Sequence, residues 1–175
     1  MKIKWGSLYT VVQNLEKHGF IKATGSDRAG RRPERTVYAI TDAGRAELKD
    51  WLRELVAVPE PEFPRFEAAL SVLGVLSPEE ATALLEERVR ALDDSIAADR
   101  VMLEQASSQV ARVFLIEGEY ALAMREAEAA WVRLLLKEIA EGTLSGVAEW
   151  REYHETGGTP PQWTQMLEEL GMTTD

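Results

Sequence analysis

A chain of 175 residues is long enough to bury a sizeable core in one or two domains. It has no cysteine, which excludes disulfides, zinc–cysteine sites and a thiol nucleophile; with no apolar run of about eighteen residues and no leader pattern, a cytoplasmic protein without membrane contact is expected. The formal charge of −10 is unevenly spread: residues 1–40 carry eight Lys/Arg against three Asp/Glu, and residues 57–175 nine against twenty-three, so the local field of a basic head, not the total, governs phosphate binding.

The first predicted element is a helix over residues 7–18. Ser7 stands at an N-cap position. Leu8, Val11, Val12 and Leu15 recur at i, i+3, i+4 and i+7, and Gly19 supplies a left-handed stop. The opposite face carries Tyr9, Thr10, Gln13, Asn14 and Lys17. Residues 20–23 and 36–40 are β-prone, and the turn between them holds Arg28, Arg31, Arg32, Arg35 and one proline. A helix with a polar outer face followed by a basic-tipped hairpin is the plan of a winged helix. On that plan Thr10, Gln13 and Asn14 face bases: Gln and Asn can pair bidentately with adenine, and Thr can meet a thymine methyl. Ser7, Tyr9 and Lys17 lie at the edges, where phosphates run. The four arginines hold flanking phosphates or enter the minor groove, with Asp27 and Glu34 lowering the charge.

Three motifs, GSLY at residues 6–9, LEKHGFI at 15–21 and RRPERTVYAITDAG at 31–44, resemble the PadR family of bacterial transcriptional regulators. The resemblance covers about residues 5–56. It implies a recognition helix at about 7–18, a wing at about 23–40 and a C-terminal helical dimerisation region. It also implies that a small aromatic effector can bind at the dimer interface, for which Phe114, Tyr120 and Trp131, at helical spacing, are the candidate lining residues. A winged helix places two helices before its recognition helix, and the residues MKIKW leave no room for them. Either the true start lies upstream of Met1, which we expect, or the chain is a genuinely shortened product; both leave the head incomplete at its N-terminus and Leu8, Val12 and Leu15 short of packing partners.

Thr41 and Asp42 open the next helix, which Ala46, Leu48, Trp51, Leu52 and Leu55 carry to about Val56. Pro59, Pro61 and Pro64 then mark a semi-rigid linker over residues 57–64. A short helix to Leu76 precedes the start signal Ser77-Pro78-Glu79-Glu80. The helix after it, to about Ser107, has a seam of Leu85, Val89, Leu92, Ile96 and Leu103 interrupted by Asp99. A second long helix over residues 112–142 carries a broader apolar face. Two such faces exceed what one chain covers, which predicts an isologous homodimer.

The expected fold is mainly α: a winged helix-turn-helix head with a two-stranded wing over residues 1–56, the linker, a long-helix dimerisation domain over 65–142, and a tail over 143–175 with short helices near 147–153 and 163–170. His18 and His154 have no nucleophile beside them, and the acidic pairs at 79/80, 86/87 and 93/94 point to different sides of a helix. No Gly-rich phosphate loop or metal-ligand spacing occurs. No enzyme activity, cofactor or metal is expected. The reading is a dimeric DNA-binding regulator, a repressor released by an effector. The alternative is a dimerisation or ligand-binding module without DNA activity, pairing with a full-length partner.

Overall fold

The computed structural model describes residues 5–27 and 35–157. The chain divides into two compact units, Met1–Glu62 and Phe63–Asp175.

The first unit contains α1 (Trp5–Lys17), β1 (Ile21–Asp27), β2 (Arg35–Ile40) and α2 (Asp42–Ala57). α1 begins two residues earlier than the apolar spacing predicts, so Ser7 lies inside its first turn instead of capping it. A cap residue has non-helical backbone angles, and the chain is already helical at Trp5. The predicted stop is present. Gly19 adopts φ +74, with Gly19 N donating to Glu16 O and Phe20 N to Leu15 O, both at 2.9 Å. This pair of bonds satisfies carbonyls that a helix end otherwise leaves open. The strands then pair antiparallel, Ile21 opposite Ile40 and Ala23 opposite Tyr38. A bulge at Thr24 puts Gly25 opposite Val37, and the Thr24 hydroxyl donates to Val37 O at 3.2 Å.

The second unit is helical: α3 (Arg65–Leu70), a 3-10 turn at Leu73–Val75, α4 (Pro78–Ser107), a second 3-10 turn at Arg112–Phe114, α5 (Ile116–Glu141) and α6 (Val147–Thr156). The helix predicted to reach Leu76 breaks at Ser71, where Gly74 ahead disfavours continuation. Ser77 caps α4 as predicted, accepting from Glu80 N at 3.1 Å. α4 and α5 lie antiparallel, and ion pairs lace their flanks: Arg88–Glu128, Asp93–Arg133, Asp99–Arg125 and Arg100–Glu126. Asp99, which sequence spacing presents as an interruption, is thereby one of the cross-helix partners. At the turn between the helices Arg112 grips Glu119, Nε to Oε1 at 3.0 Å and Nη2 to Oε2 at 2.9 Å. That hydrogen-bonded guanidinium holds the Glu119 carboxyl below its ordinary range.

The core of this unit joins Ala81 and Leu85 of α4, Val132 and Ile139 of α5, and Val147 and Trp150 of α6. The segment after Gly142, set apart from the helical domain in the sequence division, therefore contributes to the same core. Trp150 Nε1 donates to Leu76 O at 2.8 Å, Arg151 Nη2 to Ile139 O at 3.0 Å, and the His154 ring to Gly74 O at 3.1 Å. These bonds satisfy carbonyls at the end of α5 and around the first 3-10 turn. The helix predicted at 163–170 lies outside the described residues. Trp150→Phe, which removes only the indole donor, should cost about 1 kcal/mol, and Trp150→Ala about 3–5 kcal/mol, in urea unfolding of the intact chain followed by far-UV circular dichroism.

Candidate nucleic-acid interface

α1 presents Tyr9, Thr10, Gln13, Asn14 and Lys17 to solvent. Its apolar stripe is only thinly covered: Val12 is half-buried, while Leu8, Val11 and Leu15 remain 39%, 50% and 37% exposed. The helix ends under two local brackets. His18 Nδ1 lies 2.7 Å from Asn14 O, and the His18 ring stacks on Phe20 with centroids 6.0 Å apart.

What aims α1 relative to the strands is a knot at the start of α2. The Thr41 hydroxyl donates to Gly19 O at 2.6 Å and accepts from Gly44 N at 3.1 Å, while Thr41 N donates to Phe20 O at 3.0 Å. One side chain thus caps α2 and ties it to the exit of α1. Gly44 is the buried residue of α2, and a Cβ there would fall 2.9 Å from the Phe20 carbonyl carbon, closer still to its oxygen, and 3.0 Å from Ile40 Cγ1. The first turn of α2 rests directly on the backbone that joins α1 to β1. The Thr41 cap was legible in the sequence; the requirement for Gly44 was not, because it arises from a contact with Phe20.

Of the arginines expected to bind phosphate, Arg28, Arg31 and Arg32 lie outside the described residues. Arg35 opens β2, paired with Asp27 of β1. Ser7 sits in the first turn of α1.

The aromatic residues expected to line an effector site do not converge within one chain. Phe114 and Tyr120 are 76% and 67% exposed, and Trp131 lies edge-on to Phe66 with centroids 6.3 Å apart. Eleven residues of helix separate Tyr120 from Trp131 by about 16 Å. A cleft that sequence reasoning missed lies nearby in the chain, between α3 and α4, and Phe66 and Arg88 belong to its walls. The Arg88 guanidinium sits 3.7 Å from the Phe66 ring centroid while pairing with Glu128. Among the described residues there is no His/Cys/Asp/Glu cluster able to hold a metal, and no helix long and apolar enough to cross a membrane.

A helix with a polar outer face, a two-stranded wing and a following unit of long helices define a winged-helix protein. Residues 1–50 match the transcriptional regulator PadR-like family. The negative transcriptional regulator PadR of Bacillus subtilis is 29% identical over 87 residues, half of this chain and 47% of that protein. A probable transcriptional regulator of Mycobacterium tuberculosis is 37% identical over 54 residues, 31% of this chain and 28% of that one. The matched regions thus span less than half the length of these two relatives. Among solved structures, Bacillus subtilis PadR in complex with operator DNA superposes with a TM-score of 0.68 at 21% identity, covering 78% of this chain and 79% of that one. The same protein in complex with p-coumaric acid gives 0.62 at 20% identity, covering 78% of both chains. Residues 1–50 thus resemble the PadR-like transcriptional regulators, and the likeness over the rest of the chain is one of fold.

Gly44→Ala should destabilise the first unit by about 3 kcal/mol through forced separation of α2 from the Phe20 carbonyl. Gly25→Ala, where an added Cβ meets nothing within 4 Å, should stay within about 0.5 kcal/mol. Amide exchange of β1 and β2 in the intact chain reads the difference.

Proposed function

We propose that this protein is a DNA-binding repressor that acts as a homodimer and responds to a small aromatic effector. The observation that carries the DNA reading is the outward polar face of α1, with Thr10, Gln13 and Asn14 exposed and the helix locked to the wing hairpin through Thr41 and Gly44. In this reading α1 enters the major groove. Thr10, Gln13 and Asn14 meet base edges, and Ser7, Tyr9 and Lys17 meet phosphates at its rim. Arg28, Arg31, Arg32 and Arg35 hold the flanking backbone or the minor groove. The solved Bacillus subtilis PadR bound to operator DNA supports this assignment, and its complex with p-coumaric acid supports an aromatic effector. Phe114, Tyr120 and Trp131 remain the proposed effector contacts, brought together only by a second chain.

The dimer rests on a different observation. With α4 packed on one side of α5, a second stripe of Tyr120, Met124, Ala127, Trp131 and Leu134 stays exposed, in steps of 4, 3, 4 and 3 residues. That spacing is the seam of a helix awaiting another helix. A two-fold pair would carry two heads, matching a pseudo-palindromic operator with half-sites about one DNA turn apart.

Replacing Arg31 and Arg32 by Ala should weaken binding about equally on all DNA sequences and lower the salt slope by about two. Gln13→Ala or Asn14→Ala should instead cost about 1–3 kcal/mol on the preferred site alone. Gel-shift titrations with the gene's own upstream DNA and with random duplex separate the two patterns. Equal losses on both DNAs for the Gln13 and Asn14 variants would place the readout on another face.

Sedimentation equilibrium at tens of micromolar should find a dimer, and the double variant Tyr120→Asp, Met124→Asp should sediment as a folded monomer. A wild-type monomer at that concentration would remove the half-site argument.

A further inference from the structure

The described part of the chain closes with α6 held against the 3-10 turn Leu73–Val75, through His154 to Gly74 O and Trp150 to Leu76 O. The same turn forms one wall of the open cleft between α3 and α4, a space of about 430 Å³. Val72, Val75 and Leu84 line it and are 60%, 74% and 50% exposed. Its one charged lining residue, Arg88, is already engaged with Glu128 and the Phe66 ring. Such a cleft has apolar surface to cover and few polar groups to orient a small polar ligand.

The chain itself contains a segment of matching character. Residues 163–170 read WTQMLEEL, which sets Trp163, Met166, Leu167 and Leu170 at i, i+3, i+4 and i+7 and leaves Gln165, Glu168 and Glu169 for the other face. We propose that the apolar cleft between α3 and α4 is the docking site of the chain's own segment 163–170, bound as a short amphipathic helix with its Trp/Met/Leu stripe inward.

Three further observations favour this occupant. The spacer from residue 158 to 162 is five residues long and can extend about 18 Å at most, and it starts from a helix already bonded to the wall of the cleft. A tether that short holds the segment at an effective concentration of roughly millimolar, which favours its own chain over a second copy. Residues 158–175 contain no Lys or Arg, so docking brings no basic side chain against Arg88.

The absence of cysteine makes the test direct. In the full chain, Val75→Cys combined with Met166→Cys is treated with a short bismaleimide at low protein concentration. A cross-link within one chain is expected, seen as a faster-migrating monomer band, and Leu167→Asp should abolish it. In parallel, hydrogen exchange of residues 72–76 should quicken at least fivefold in the Leu167→Asp chain, while residues 129–139, in the core, keep their protection. Both results are required. A covalent dimer would assign the cleft to a second copy and overturn the proposal. So would the absence of any cross-link, or exchange at 72–76 that Leu167→Asp leaves unchanged.

Discussion

The geometry of the first unit depends on one close approach, that of the α2 backbone to the carbonyl of Phe20. Because Gly44 has no side chain, α2 can settle onto the peptide that links α1 to β1. Thr41 then bonds in both directions at once, to Gly19 and to the first turn of α2. Any larger residue at position 44 would push α2 outward and open those bonds. The angle between α1 and the strands follows from this contact. A surface that reads base edges needs its helix and wing held to within a fraction of an ångström. In this unit α1 has a thinly covered apolar stripe, so the knot at Thr41 matters more than core packing for where α1 points.

In the second unit the apolar core supplies most of the stability, and the ion pairs fix which residues meet. Exposed pairs contribute little each. Yet Asp93–Arg133, Asp99–Arg125 and Arg100–Glu126 all agree with one antiparallel register, and a slip of one helical turn would part all three. These pairs also have an electrostatic consequence. Arg88, Arg100, Arg112, Arg125, Arg133 and Lys137, six of the nine basic residues beyond position 56, are each engaged by a carboxylate. What remains facing solvent is strongly acidic, and it repels a polyanion. Attraction to phosphate is left to residues 1–40.

Local signals were legible in the sequence: the Gly19 stop, the strands around the arginine-rich turn, the caps at Thr41 and Ser77, and the extent of α4. Each is encoded within about four residues of where it acts. Features that depend on distant partners were not. Gly44 is constrained by Phe20, 24 positions away, and Trp150 by Leu76, 74 positions away, so the entry of α6 into the core could not be read from its own short, weakly periodic sequence. Asp99 looks like a flaw in an apolar seam until Arg125 is placed opposite. The polar face of α1 was legible as a candidate site because helical periodicity alone sorts its residues. The aromatic trio was not resolvable in the same way, since periodicity cannot say whether Tyr120 and Trp131 face a core, a cavity or another chain.

The outer face of α5 bears on that last ambiguity. Tyr120, Met124, Trp131 and Leu134 are large, and three of the exposed positions between them, Ala123, Ala127 and Ala130, are small. Alternation of large and small side chains lets a facing helix interdigitate, whereas a uniformly bulky face would hold it off. Charge works against self-association, because each copy carries −10. An interface between copies must therefore be apolar enough to overcome that repulsion, and it must keep carboxylates at its rim. α5 meets both conditions: its outer stripe holds no charged residue from Tyr120 to Leu134 at the seam positions, and Glu126 and Glu128, beside the stripe, are drawn back toward Arg100 and Arg88 of α4. The ion pairs that set the helix register within one chain thus also draw these carboxylates away from the exposed apolar stripe of α5.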